Sequence, residues 1–194
     1  MFDFLKPSTY KLKHLLKKPR DIGKIKNPTE EMKLLAVMVD PWSIREIEDP
    51  SYDLCMEAVR RSGWVIESIP YRDDDLYLAA VEEEGIVIMK IAHPSDSVKL
   101  AAVSSNGWAI NWIEEQTEEL CFKAIESKYW SIEFIRDQRY EYCEYAVIRN
   151  SFALLHIKEP HSDIVKLAIQ LNPDIECHYK EHMKRRQPVA AVSS

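Results

Sequence analysis

The sequence predicts an all-α fold: a right-handed α/α solenoid of about eight 22-residue helix-turn-helix repeats, with two short helices in each. Three observations carry this reading. An alanine recurs every 22 residues without slip, at Ala36, Ala58, Ala80, Ala102, Ala124, Ala146 and Ala168. The scarce residues share columns of that register, with Gly63, Gly85 and Gly107 five places after the alanine and Trp42, Trp64, Trp108 and Trp130 one place further on. Pairs of isoleucine-type residues three apart then follow, from Ile44 and Ile47 through to Leu154 and Ile157. Self-similarity at a fixed short period is the mark of a repeat array.

The first helix of each unit is amphipathic. Four places before the alanine stand Met32, Leu54, Leu76, Val98, Leu120, Tyr142 and Ile164, and one place after it Val37, Val59, Val81, Val103, Ile125, Val147 and Ile169. Those offsets lie on one stripe of a 3.6-residue helix. A second apolar column, Leu34, Met56, Leu78, Leu100 and Phe122, lies opposite and is expected to cover the adjacent pair. Thr29, Ser51, Asp73, Ser95 and Thr117 stand where a side chain would accept a backbone N–H at the helix start.

The turn column holds Gly63, Gly85 and Gly107, where a reversing chain wants φ > 0, with Pro41 in an earlier copy. The tryptophans just beyond it read as core. The isoleucine pairs suit a strand by propensity, but their three-residue spacing favours a second helix.

The register extends to both ends and predicts one elongated domain over 1–194. Residues 7–28 form a degenerate N-terminal capping repeat in which Tyr10, Leu15, Ile22 and Ile25 fill apolar columns and His14 replaces the alanine. Six regular repeats occupy 29–160, a C-terminal capping repeat 161–183, and a frayed tail 184–194. A lone unit should not fold, because the few apolar side chains it buries do not offset the entropy of ordering 22 residues.

Composition narrows the function. The formal net charge is −6, but residues 29–176 hold 14 Lys and Arg against 29 Asp and Glu, so the body is strongly acidic and its ends are basic. Direct nucleic-acid binding is disfavoured by that body. No apolar run is long enough to cross a membrane. Cys55, Cys121 and Cys143 share a column whose copies lie too far apart for a disulfide, and reduced thiols point to a cytoplasmic protein. Phosphate-cradling loops, Cys-x-x-Cys pairs and nucleophile elbows are all missing, so neither an enzyme nor a cofactor is expected. His178 and His182, four apart near Cys177 and Glu181, could face a metal, but the capping role is the simpler reading.

Two surfaces are candidates for binding a protein partner. Ten places after the alanine, Trp112, Phe134 and His156 make an aromatic strip on consecutive copies, of the kind that anchors interfaces. The alternative is that these rings pack beneath a neighbouring helix. The other surface is an acidic ladder, Glu31, Asp53, Asp75, Glu119, Glu141 and Asp163, interrupted by Ser97. The helix dipole explains carboxylates there, yet the ladder would also mimic a nucleic-acid backbone.

Ala102-Val103-Ser104-Ser105-Asn106-Gly107-Trp108-Ala109-Ile110 resembles short helical repeats of a domain-of-unknown-function family found in bacterial and phage proteins, whose units read A-V-x-x-N-G-x-A-L. The resemblance implies an all-helical repeat fold and no activity. A phage-type accessory protein, an adaptor or an inhibitor, would suit it.

Overall fold

The computed structural model describes residues 7–186, and among these every regular element is helical and none is a strand. The fold is an α-helical repeat solenoid, as the register predicts. Chain contacts divide it into two compact units, the first ending at Ser105 and the second beginning at Asn106. Unit 1 holds α1 (Pro7–Leu15), α2 (Glu30–Val39), α3 (Tyr52–Arg61), α4 (Asp74–Glu83) and α5 (Asp96–Ser105). Between them run η1 (Pro19–Lys24), η2 (Pro41–Glu46), η3 (Gly63–Ser68) and η4 (Gly85–Lys90), all 3₁₀ helices. Unit 2 holds η5 (Gly107–Trp112), α6 (Glu118–Ser127), η6 (Tyr129–Phe134), α7 (Tyr140–Arg149), η7 (Ser151–His156), α8 (Ser162–Leu171) and α9 (Ile175–Arg186).

The helices α2 to α6 start where the sequence places their caps. Thr29, Ser51, Asp73, Ser95 and Thr117 accept the N–H of Met32, Leu54, Leu76, Val98 and Leu120. The helices α2, α3, α4, α6, α7 and α8 end on their alanine, whose carbonyl accepts the closing N–H, as in Asp40 to Ala36 at 2.9 Å, Ser62 to Ala58 at 3.0 Å and Lys128 to Ala124 at 2.9 Å. The donor residue is extended, and in three copies its side chain also caps the 3₁₀ helix that follows. Asp40, Asn106 and Asn150 accept from the N–H of Trp42, Trp108 and Phe152. The asparagine of the family-like motif therefore has a structural duty.

The second element of each regular repeat is a six-residue 3₁₀ helix rather than an α-helix. Its three-residue turn explains the spacing that pointed to a helix, since residues i and i+3 eclipse on one face. Ile44, Ile66, Ile88, Ile110, Ile132 and Leu154 are buried within it, and their partners Ile47 to Ile157 are buried just past its end, where the backbone is already extended.

The glycine column departs from expectation. No described glycine has positive φ. A Cβ on Gly63 would instead collide with the carbonyl of Ala80, and one on Gly107 with the carbonyl of Ala124 and the hydroxyl of Ser131. These glycines let the start of one 3₁₀ helix sit against the next unit's alanine. Positive φ appears in the linkers, at Asn27, Asp49 and His93, each preceding the proline Pro28, Pro50 or Pro94. Asn, Asp and His are the non-glycine residues that most readily take that conformation.

The core follows the alanine stripe and one column that the sequence reading passed over. Ala36, Ala58, Ala80, Ala102, Ala124, Ala146 and Ala168 are all 0% exposed. So are Ser43, Val65, Val87, Ala109, Ser131 and Ala153, which follow the tryptophan position, whereas Trp42, Trp64 and Trp130 are only half-buried and Trp108 is exposed. The tryptophans are thus rim residues, displaced from the core because it is too narrow there for anything larger than valine. The second apolar column is mixed: Leu34 is exposed, Met56, Leu78 and Leu100 are half-buried, and Phe122 covers the next helix, edge-on to Tyr142 and Tyr145 of α7 at 5.0 and 5.3 Å.

At the N-terminal cap, Leu15 and Ile22 are buried, Ile25 is half-buried and His14 Nε2 meets Asp21 Oδ2 at 2.8 Å; the Tyr10 side chain lies outside the described part. The C-terminal cap ends differently from expectation, in a continuous α-helix that carries Lys184, Arg185 and Arg186 in its last turn. Ile175 is fully buried there and Arg186 donates to the carbonyls of Ile157 and Lys158. The remainder of the predicted tail, 187–194, lies outside the described residues.

Candidate protein-binding surface

The aromatic strip lies wholly in unit 2, on the face formed by the 3₁₀ helices. Trp112 and Phe134 are brought together through Trp108, whose ring centroid is 5.1 Å from that of Trp112 and 6.0 Å from that of Phe134. Phe134 continues to Trp130 at 6.1 Å. Trp108 is the most open of the four, 37% exposed, where the turn-column pattern predicts a core residue. Its neighbour Ala109 takes the buried place, a small residue whose signal was visible in the column Ser43 to Ala153.

His156 does not join this cluster. Its ring stands edge-on to Tyr129 at 6.3 Å and its Nδ1 lies 2.8 Å from Glu133 Oε2. It forms a polar border beside the aromatic rings, and Phe152 meets His178 at a tilt, ring centroids 5.6 Å apart.

Two glutamines fix the backbone beneath these side chains. Gln116 Nε2 donates to the carbonyls of Ile110 and Phe134, at 3.0 and 3.1 Å, while its Oε1 accepts from the Arg136 N–H at 2.9 Å. Gln138 repeats the pattern one unit on, donating to Ile132 at 2.7 Å and His156 at 3.3 Å and accepting from Lys158 at 2.8 Å. Each amide ties one 3₁₀ helix to the next, at the column that elsewhere holds Pro50, Pro94 and Pro160. The sequence carries no local signal for this role, because each glutamine reaches partners 18 and 20 residues away that only stacking brings near.

In unit 1 the column of Trp112 and Phe134 is polar, with Glu46, Ser68 and Lys90, while the column of Trp108 and Trp130 keeps Trp42, Trp64 and Ile86. Arg45 donates to Ser68 at 2.7 Å and lies 4.2 Å over the Trp42 ring, and Lys90 pairs with Glu67 at 3.0 Å. Trp64 donates its indole N–H to Glu84 at 2.5 Å. A continuous run of partly open rings on a glutamine-clamped backbone is the feature of unit 2. It loses little side-chain entropy on binding and offers apolar area with indole donors, the combination that dominates interface energetics.

The six ladder carboxylates are exposed in first turns: Glu31, Asp53 and Asp75 in unit 1 and Glu119, Glu141 and Asp163 in unit 2. Among the described residues only Asp163 of these is ion-paired, to Lys166 at 3.0 Å, and that hydrogen bond holds its carboxyl below the usual range. Cys55, Cys121 and Cys143 are buried free thiols. Burial pushes Cys55 and Cys143 up to about 11, which leaves them protonated and inert at neutral pH. Among the described residues no three His, Cys, Asp or Glu side chains converge on a metal position. None of the described helices is long and apolar enough to cross a membrane.

The chain matches no protein-family model, no curated protein and no solved structure. The candidate surface therefore stands on its own geometry.

Proposed function

We propose that this chain is a non-enzymatic protein-binding α-solenoid, an adaptor or inhibitor that captures a protein partner through the aromatic strip of unit 2. The observation that carries this reading is the continuous run Trp112, Trp108, Phe134 and Trp130 on a backbone clamped by Gln116 and Gln138. Buried apolar area and few rotamers to freeze make such a surface an anchor. A phage-type accessory role suits the resemblance of Ala102 to Ile110 to bacterial and phage repeats, and a cytoplasmic setting suits the buried free thiols Cys55, Cys121 and Cys143. The test compares quantitative recovery of bound proteins by the full chain, by a Trp108→Ala/Trp112→Ala variant and by Lys90→Ala, the unit 1 counterpart. The strip variant loses the partner while keeping its melting temperature, and Lys90→Ala keeps it. Undiminished recovery by the folded strip variant would falsify the proposal.

The second reading is acidic mimicry of a nucleic-acid backbone, blocking the cationic groove of a nuclease or another nucleic-acid-binding protein. It is favoured by five ladder carboxylates, Glu31, Asp53, Asp75, Glu119 and Glu141, that are exposed and form no ion pair among the described residues. It requires binding that weakens steeply with salt, because exposed charges are screened beyond about 10 Å at 0.1 M. Salt-insensitive binding removes it.

A further inference from the structure

Unit 1 has a surface of different chemistry on its α-helical face. Between α3 and α4 lies an open groove of about 730 Å³. Its floor is apolar, made by Met56, Leu78 and Ala79. Its rim carries Asp53, Asp75, Glu82 and Glu83, none of them ion-paired among the described residues, whereas Glu57 is already taken by Arg61 at 2.6 Å. Arg60 is the one cation lining it. The floor belongs to a longer row, because Leu34 of α2, 42% exposed, and the half-buried Leu100 of α5 occupy the column of Met56 and Leu78.

We infer that this face docks a cationic amphipathic helix of a partner protein. Two complementarities select that occupant. Four unpaired carboxylates around an apolar floor, against the single lining cation Arg60, favour lysines and arginines flanking an apolar stripe, and they repel an anionic surface such as nucleic acid or an acidic membrane. The spacing also agrees: packed helices stand about 8–10 Å apart, and seven residues of a helix rise about 10.5 Å. A helix laid across α2 to α5 thus drops an apolar residue beside each member of the row and bridges the α3–α4 groove at its middle, with anchors one or two turns apart as in other docked amphipathic helices. This surface is independent of the aromatic strip. It also differs from backbone mimicry in requiring the apolar floor.

The test uses the full chain and a fluorescent peptide of about 18 residues, five helical turns, with leucines on one face and lysines on the other. Anisotropy gives the affinity. Leu78→Ser and Asp75→Asn/Glu82→Gln each weaken binding about tenfold, and a scrambled peptide of the same composition binds at least about tenfold more weakly. Glu119→Gln/Glu141→Gln in unit 2 and Trp108→Ala leave it within about twofold. The charge variant alters only exposed carboxylates, so it remains informative if Leu78→Ser unfolds. Equal binding of the scrambled peptide, or equal weakening by the unit 2 carboxylate changes, overturns the inference.

Discussion

The side-chain amide of Gln116 donates to the carbonyl oxygen of Phe134 at 3.1 Å, so a residue of one linker holds the end of the next 3₁₀ helix. The same amide also serves Ile110 and Arg136. Gln116→Ala strands the Phe134 carbonyl and the Arg136 N–H, while the Ile110 carbonyl keeps the Ile113 N–H at 3.2 Å, and unsatisfied buried groups cost about 1–3 kcal/mol each when water cannot replace the partner. We predict a loss of about 2 kcal/mol in urea unfolding. Pro50→Gln, where unit 1 has the ordinary linker proline, gives no matching gain.

Gly107 tests the revised reason for the glycine column. Its φ is not positive, so alanine fits the backbone, and by propensity alone Gly107→Ala would stabilise the chain. The Ala124 carbonyl and the Ser131 hydroxyl occupy the space a Cβ needs. Overpacking wins, and the variant loses about 1–3 kcal/mol by thermal or urea unfolding.

Much of this architecture was legible because periodicity survives in one dimension. The alanine register, the capping residues and the degenerate end repeat are local chemistry repeated at one interval. Other features depend on neighbours 20 or more residues away. Nothing local tells a 3₁₀ helix from an α-helix in Gly107-Trp108-Ala109-Ile110-Asn111-Trp112, since three-residue spacing suits both. Trp108 looked like core until Ala109 was seen to fill the narrow space beneath it. Of the strip, Trp112 and Phe134 were identifiable as rings breaking a polar column. Their link through Trp108 and their support by Gln116 required the stacking itself.

The C-terminal cap gives the chain a pH response. His182 Nε2 is buried without a hydrogen-bond partner, and its proton affinity is lowered, first by that burial and next by Arg186. A base whose folded pKa falls below its ordinary 6.5 favours the unfolded chain when protonated. The stability associated with neutral His182 is therefore complete above about pH 6.5 and falls as pH drops below it. His182→Gln removes this part of the dependence. Urea midpoints measured at about pH 7.5 and 5.5 fall less for the variant than for the parent chain.

The claim beneath all of this is that 22 residues make one interchangeable stacking unit. Circular dichroism of two deletions tests it most directly. Removing residues 74–95 excises α4, η4 and their linker and brings Asp73 to the start of α5 as its cap. That chain keeps its helical spectrum and a cooperative, lower melting transition. Removing only 74–84 leaves η3 running into η4 without an α-helix between them, and that chain melts without cooperativity. Equal behaviour of the two, or collapse of the chain shortened by a whole unit, would contradict the account.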